Sequence, residues 1–166
     1  MIFVNLLVQP EEPYTGVMSM GKVRIHILVE EDEMSCITGC VQKAIDDINI
    51  TRTLDKVEIL KCGVDEEIIT LAERSETVTS IFLVSSRYPD GYTSLNSQVR
   101  AILTRLNKAA GDSDKVHVFM LHGGVSWQTC IREWPKVTPL EVTNPFPPIY
   151  GALNKVINPP AQPPTA

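Results

Sequence analysis

The chain has 166 residues, of which 43% are hydrophobic and 21% are charged, with a formal net charge of -5 at neutral pH. This length and apolar fraction predict one domain with a well-buried core. The acidic balance argues against direct nucleic-acid binding, because phosphate contacts require a basic surface. The apolar run at residues 1–8 is too short to span a membrane and has no basic flank, so the sequence predicts a cytoplasmic protein without membrane contact.

Short β-branched runs alternate with amphipathic segments along the chain. This alternation predicts an α/β domain in which helices cover both faces of a parallel sheet. The predicted strands are residues 22–29, 56–62, 80–85, 115–121 and 138–143. Each is followed by a segment with apolar residues at helical spacing, which makes five βα units.

The predicted helices are defined by their apolar stripes. The first carries Met34, Ile37, Val41, Ala44, Ile45 and Ile48. The second begins near Asp65 and carries Ile68, Ile69, Leu71 and Ala72, and the third carries Leu95, Val99, Ile102, Leu103 and Leu106. The fourth carries Trp127, Cys130, Ile131 and Trp134 before Pro135, and the last carries Ile149, Leu153 and Val156 after two prolines.

The two ends of the chain do not fit the βα alternation. Residues 1–21 contain Pro10, Pro13 and Gly16 and are predicted to form an N-terminal extension. Residues 158–166 are rich in proline and are predicted to form a tail or linker, because proline cannot continue a helix. The predicted domain is therefore residues 22–157.

Polar residues stand at the carboxyl ends of the predicted strands, where open parallel sheets place their chemistry. Acidic residues 30–33 follow the first strand, and Ser85 ends the third. His122 follows the fourth strand and Asn144 the fifth. The candidate site residues are Glu30, Glu31, Ser85, His122 and Asn144.

Four segments resemble, in order, the landmarks of response-regulator receiver domains of the CheY-like family. They are the acidic residues 30–33, the segment from Ser85 to the Pro89-Asp90-Gly91 turn, His122-Gly123, and Asn144-Pro145. The resemblance covers residues 22–157 and implies a flavodoxin-like (βα)5 fold with a five-stranded parallel sheet of order 2-1-3-4-5. In that order the first and third strands flank the switch point, so Glu30, Glu31 and Ser85 are expected to converge.

The resemblance also identifies what the chain lacks. Ser85 stands where the family has its phosphoacceptor Asp, and a Ser hydroxyl cannot form an acyl phosphate. His122 stands at the switch Ser or Thr, and Glu141 at the switch aromatic residue. Asn144 stands at the conserved Lys and supplies no positive charge. Glu30 and Glu31 stand where receivers hold Mg²⁺, the one cofactor that the resemblance implies.

These replacements predict a non-phosphorylatable pseudo-receiver, not an enzyme, that acts in a two-component-like signalling pathway by protein-protein contact. The resemblance implies a partner protein, or a second copy in a homodimer, on the surface of the fourth helix, fifth strand and fifth helix. The interface residues predicted there are Trp127, Trp134, Glu141 and Tyr150.

A second hypothesis is a small ligand- or metal-binding α/β domain, or an enzyme, that uses the crevice at the strand ends. Its residues are Glu30, Glu31, Ser85, His122 and Asn144. Plainer explanations also exist: the acidic run can be a solvated helix start, and His122 a hydrogen-bonded structural residue. Cys36 and Cys40 are spaced to bring two thiols together, but the four cysteines are expected to be reduced core residues, since no nearby His completes a zinc site.

Overall fold

The computed structural model describes residues 22–51, 56–61, 69–70, 72, 74, 77–86, 97–122 and 132–158. Five strands lie within these residues: β1 Lys22–Leu28, β2 Lys56–Lys61, β3 Val78–Ser85, β4 Val116–His122 and β5 Val137–Glu141. Three helices are described in the same residues: α1 Glu31–Thr51, α2 Ser97–Asp112 and α3 Phe146–Ile157.

The strands form one parallel sheet in the order β2-β1-β3-β4-β5. The predicted α/β class, the parallel sheet and its 2-1-3-4-5 order are therefore confirmed. In this order β1 lies beside β3, with Leu28 paired to Val84, and the strand ends of β1 and β3 share one edge of the sheet. From β1 the chain continues to β2 on one side, and from β3 it continues to β4 on the other side. The strand order therefore reverses between β1 and β3, and this position is the switch point.

Both faces of the sheet are buried, because alternate residues of each strand pack on opposite sides. On β3, Ile81 and Leu83 belong to the core formed with α1 and α3, whereas Phe82 and Val84 belong to the core formed with α2. Burial on both faces explains why β3 is a continuous apolar run instead of an alternating one.

The helices bury the stripes that their spacing predicts. On α1, Ile37, Val41 and Ile45 are buried in the core shared with α3, while Met34 packs against it only partly. On α2, Val99, Leu103 and Leu106 are fully buried. Helix packing on an apolar stripe stabilises segments of this length more than intrinsic helix propensity does.

The edge strand and the last helix both tolerate proline at positions where no amide hydrogen is needed. Pro139 lies in β5, which pairs with β4 and is an edge strand among the described residues. The helix α3 starts at Phe146, so Pro147 and Pro148 lie in its first turn and do not precede it as predicted. First-turn amides have no partner within the helix, so proline costs little there.

Several predictions fall outside the described residues: the N-terminal extension, the turn at 89–91, Gly123, Trp127, Cys62, Cys130 and the tail from residue 159. The predicted second and fourth helices are described only at residues 69, 70, 72 and 74 and at residues 132 and 133, which have helical backbone. Cys36 corrects one prediction, since its side chain is exposed on α1 instead of buried in the core. None of the described helices has the length and apolarity needed to cross a membrane.

One ionisable side chain is buried in the middle of the sheet. His26 on β1 is 3% exposed, and its ring stacks on Phe82 with centroids 4.3 Å apart. Neither ring nitrogen has a hydrogen-bond partner in the described part of the chain. Burial lowers the pKa of His26 to about 4; Arg24 acts in the same direction, and Glu58 opposes it. His26 is therefore a neutral core residue at neutral pH.

We predict that the domain loses stability when the pH falls from 7.5 to 5.0. The unfolded chain protonates His26 near its ordinary pKa of 6.5, whereas the folded chain resists protonation until about pH 4. The unfolded state therefore binds more protons between these values, and the free energy of unfolding falls as the pH falls. His26 alone should remove about 2 kcal/mol over this range, measured by urea unfolding at the two pH values.

The His26→Leu variant removes the titrating group and keeps a side chain of similar size, so the part of the loss that His26 contributes should disappear, while His117 and His122, whose pKa values burial also lowers, keep theirs. His117→Gln is the matched control, because His117 is on a strand but only half-buried. An unfolding free energy that depends on pH equally in wild type and His26→Leu would contradict the assignment.

Candidate functional site

The strand ends that flank the switch point bring an acidic segment against a buried hydroxyl. Ser85, the last residue of β3, is 1% exposed. Its hydroxyl donates a hydrogen bond to Oε1 of Glu33 over 2.9 Å. Glu33 lies in the first turn of α1, directly after β1. The structure thus brings Ser85 to the acidic segment as the strand order predicts, and Glu33 makes the contact.

Three carboxylates form a compact group beside this contact. Glu30, Asp32 and Glu33 each offer an oxygen, and these oxygens all lie within 4.8 Å of one another. We call these three residues the acidic group. Glu30 and Glu33 are half-buried, whereas Asp32 is exposed. Glu31, which was predicted to hold a metal with Glu30, is exposed in the first turn of α1 and is not part of the group.

The spacing of the acidic group suits a hard divalent cation. Oxygens on opposite sides of Mg²⁺ are about 4.1 Å apart, and those on opposite sides of Ca²⁺ about 5 Å, while adjacent ligands are closer. Carboxylate oxygens are the preferred ligands of both ions. The described geometry therefore allows all three residues to contact one ion without a large rearrangement.

The start of α1 also accounts for part of the acidic charge. Glu31, Asp32 and Glu33 form its first turn, where negative charge is stabilised by the helix dipole. The backbone amide of Glu33 donates to the carbonyl of Glu30 over 2.9 Å, which closes this turn. A helix start and a cation site are compatible, because both place the carboxylates at the same end of the helix.

His122 lies at the end of β4 on the other face of the sheet. Residues of β4 alternate in direction, so His122 shares the α2 face with Val118 and Met120, while Ser85 shares the α1 face with Leu83. His122 is 7% exposed, and burial lowers its pKa although Glu141 opposes this effect. The sheet therefore separates the Ser85 and His122 side chains, which argues against a Ser-His nucleophile pair.

The predicted interface residue Glu141 and the predicted pocket residue Asn144 are both exposed. Asn144 follows β5 in the connection to α3, and Glu141 is the last residue of β5. The Glu141 carboxylate accepts a hydrogen bond from the Thr143 hydroxyl over 3.2 Å. Across the sheet, Glu141 is aligned with His122.

Trp134 corrects the interface prediction. Its side chain is 3% exposed and belongs to the core beneath α2. The indole N–H donates to the Thr104 hydroxyl over 3.0 Å, and the guanidinium of Arg100 lies 5.8 Å from the ring centroid. A ring held in this way from a neighbouring helix is a packing residue and not an exposed anchor for a partner.

Tyr150, the predicted interface residue on α3, packs partly against the core shared with α1, and its contact with a partner stays a prediction. It is half-buried on α3, and its ring packs at a tilt against Phe146 with centroids 5.9 Å apart. The ammonium group of Lys43 lies 4.3 Å from the centroid of Phe146. Aromatic and cationic side chains from α1 and α3 therefore form a continuous surface.

The sequence predicted Glu30 and Glu31 as the metal-binding pair, with Asp32 and Glu33 beside them, and did not predict the contact of Glu33 with Ser85. The signal was present, because Glu30 and Glu33 are three residues apart and lie on one side of a helix that begins at Glu31. The predicted acidic loop is instead the first turn of α1. The site therefore depends on where the helix starts, which the acidic run alone did not define.

Comparison of the chain with protein-family models, with curated proteins and with solved structures gave no match.

We predict that Mg²⁺ produces saturable amide shifts near Glu30, Glu33 and Ser85 in an NMR titration. Glu33→Gln should weaken this binding roughly tenfold or more, because it removes one negative ligand. The amide oxygen of Gln can still accept the Ser85 hydrogen bond, so the effect reports charge and not a lost contact.

Glu31→Gln is the matched control, since it removes an equal charge one or two residues away from the acidic group. Its Mg²⁺ affinity should stay within about threefold of wild type, because an exposed charge acts weakly through solvent. Wild-type protein that shows no shifts, or equal losses in both variants, would rule out the acidic group as a specific cation site.

Proposed function

We propose that this chain is a receiver-like signalling domain that acts by protein-protein contact and does not depend on phosphorylation. Three features support the proposal. The sheet has the 2-1-3-4-5 order, an acidic segment follows β1, and Ser85 ends β3 at the position that the resemblance assigns to the phosphoacceptor. Fold alone licenses no activity, so the argument rests on these strand-end residues.

The observation that carries the proposal is the contact between Ser85 and Glu33. A phosphoacceptor must present a carboxylate to solvent, whereas Ser85 presents a hydroxyl that is 1% exposed. This hydroxyl already donates to a carboxylate at 2.9 Å. The position that would receive phosphate therefore holds a hydroxyl, which is engaged in a part-buried hydrogen bond with Glu33 at the start of α1.

The acidic group gives this domain a role for Mg²⁺ that does not require phosphate. Three carboxylates at one helix start repel one another, and a bound cation would relieve that repulsion. In this proposal Mg²⁺ stabilises the strand-end surface, and Glu30, Asp32 and Glu33 hold it. The ion supplies charge compensation only.

The surface of β5 and α3 is the proposed site of contact with a partner protein or a second copy of the chain. Glu141 and Tyr150 are accessible there, and the aromatic pair of Phe146 and Tyr150 provides apolar area. Tyrosine is common among residues that contribute strongly to binding, because it combines apolar area with a polar group. Trp134 has no part in this surface, since it is buried.

The second candidate function is a small-molecule-binding domain that uses the acidic group and the Ser85 hydroxyl. The 2.9 Å contact with Glu33 favours it, because a carboxylate beside a hydroxyl is a possible acid-base pair. The burial of Ser85 and the separation of His122 across the sheet weigh against turnover at this position. A ligand that copurifies with the protein would favour this candidate.

We predict that beryllofluoride, which imitates an aspartyl phosphate in competent receivers, adds nothing to the Mg²⁺ response. The reason is that Ser85 offers no carboxylate to which beryllofluoride can bind. The measurement is an amide NMR titration with Mg²⁺ followed by beryllofluoride. Shifts that spread from Ser85 to β5 on the second addition would show a working switch and would overturn the proposal.

We also predict that the chain self-associates through β5 and α3. Sedimentation equilibrium should show a mass that rises with concentration in wild type. The double change Glu141→Lys and Tyr150→Ala should weaken association roughly tenfold or more, because the tyrosine loses its apolar contact and the charge is reversed.

Lys108→Glu is the control for this experiment, since Lys108 is exposed on α2, across the sheet from α3 and Tyr150. Its surface ion pair with Asp112 contributes little to stability. Equal association of all three proteins would move the interface elsewhere, and a monomer at every concentration would leave a different protein as the partner.

A further inference from the structure

Two cysteine thiols lie one helical turn apart on α1. Cys36 is exposed and Cys40 is half-buried, and both are free. Burial raises the pKa of the Cys40 thiol, and Cys36 raises it further, so the two side chains are near enough to interact. Neither residue takes part in the acidic group or in the surface of β5 and α3. The pair therefore carries chemistry that the proposed function does not use.

Helix geometry decides which chemistry suits this pair. Side chains four residues apart on a helix have Cβ atoms about 5–6 Å apart. A disulfide requires Cβ atoms about 3.5–4.5 Å apart, so closing one here would distort the helix. An ion between the sulfurs, with bonds of about 2.3 Å to each, allows the sulfurs to stay about 4–4.6 Å apart. The backbone of α1 therefore favours a bridging ion over a disulfide.

The charge around the pair favours an ion of low positive charge. Two thiolates and one monovalent cation carry a net charge of -1. Burial and Cys36 raise the pKa of the Cys40 thiol, and Lys43 lies close enough for its positive charge to oppose them in part. The same ammonium group lies over the ring of Phe146, the first residue of α3. This contact holds the Lys43 side chain at the N-terminal end of α3. Lys43 would thus offset the negative charge of the complex.

We propose that Cys36 and Cys40 form a two-sulfur site for a soft, thiophilic metal ion of the Cu(I) class. Thiolates select soft ions, and Cu(I) accepts two sulfur ligands without further donors. Hard ions such as Mg²⁺ prefer the oxygens of the acidic group instead. The two sites on α1 therefore differ in the ions that they take.

Binding at this site exchanges protons for the metal ion and involves no electron transfer. Each thiol loses its proton to solvent, each sulfur forms one bond to Cu(I), and the metal keeps its oxidation state. Two protons leave for each ion bound while both thiols are protonated. The affinity should therefore rise about a hundredfold for each unit of pH in this range.

The test is Cu(I) binding to the full chain without oxygen, measured by competition with a chromophoric Cu(I) chelator. Wild type should bind the ion stoichiometrically. Cys36→Ser should weaken binding on the order of a hundredfold or more, and the pH dependence should fall to about tenfold for each unit, because one thiol remains. Cys36 is exposed, so this variant should keep the wild-type melting temperature.

Cys40→Ser should give the same loss, and the double change Cys62→Ser and Cys130→Ser is the matched control. The control should bind Cu(I) as wild type does. Retained affinity in Cys36→Ser, or a loss in the control equal to that in Cys36→Ser, would overturn the site. A wild-type pH dependence of only tenfold for each unit would also overturn it, because a two-thiol site must release two protons.

Discussion

The pairing of β3 with β1 on one side and β4 on the other is the constraint from which the rest of the structure follows. It buries β3 on both faces, which explains its continuous apolar sequence. It also places the end of β3 beside the start of α1, since α1 follows β1 after only two residues. The hydrogen bond between Ser85 and Glu33 is a local result of this pairing.

The same sheet that gathers the polar strand ends also divides them. Successive side chains on a strand point to opposite faces, so residues at the ends of neighbouring strands do not automatically meet. Ser85 faces α1 and the acidic group, whereas His122 faces the α2 side beside Glu141. The hypothesis of one crevice placed all the strand-end residues together and did not take account of the two faces of the sheet. In this chain the edge has two sides with different chemistry.

The parts of the fold that periodicity determines could be predicted from the sequence. β3 contains the apolar run from Ile81 to Val84 and β4 the run from Val118 to Leu121, and the stripe of α1 at Ile37, Val41 and Ile45 has helical spacing. The limits of the elements were less accurate, as α3 shows by including its two prolines. Local propensity sets the type of an element, while the neighbours that pack on it set where it ends.

The parts of the site that could not be predicted depend on contacts between distant residues. Ser85 and Glu33 are 52 residues apart, and Trp134 is 30 residues from Thr104, its hydrogen-bond partner. Periodicity placed Trp134 on a helix face but could not show that α2 covers it. The prediction that Cys36 is buried was wrong for a local reason. Cys36 lies on α1 beside the buried stripe that contains Ile37, and its own side chain is on the exposed side of the helix.

Ser85 ends β3 with a buried hydroxyl and not with a carboxylate, which limits the chemistry available at the strand ends. A carboxylate that is phosphorylated would change the charge at the strand ends, so the surrounding residues would have to accommodate two different charge states. A Ser85 hydroxyl bound to Glu33 gains roughly 1–3 kcal/mol from a hydrogen bond to a charged group, and it gains this energy permanently. Beside this contact, the acidic group concentrates negative charge at the same end of the sheet. A cation or a positively charged side chain would be attracted to that charge, whereas the Ser85 hydroxyl is already engaged with Glu33.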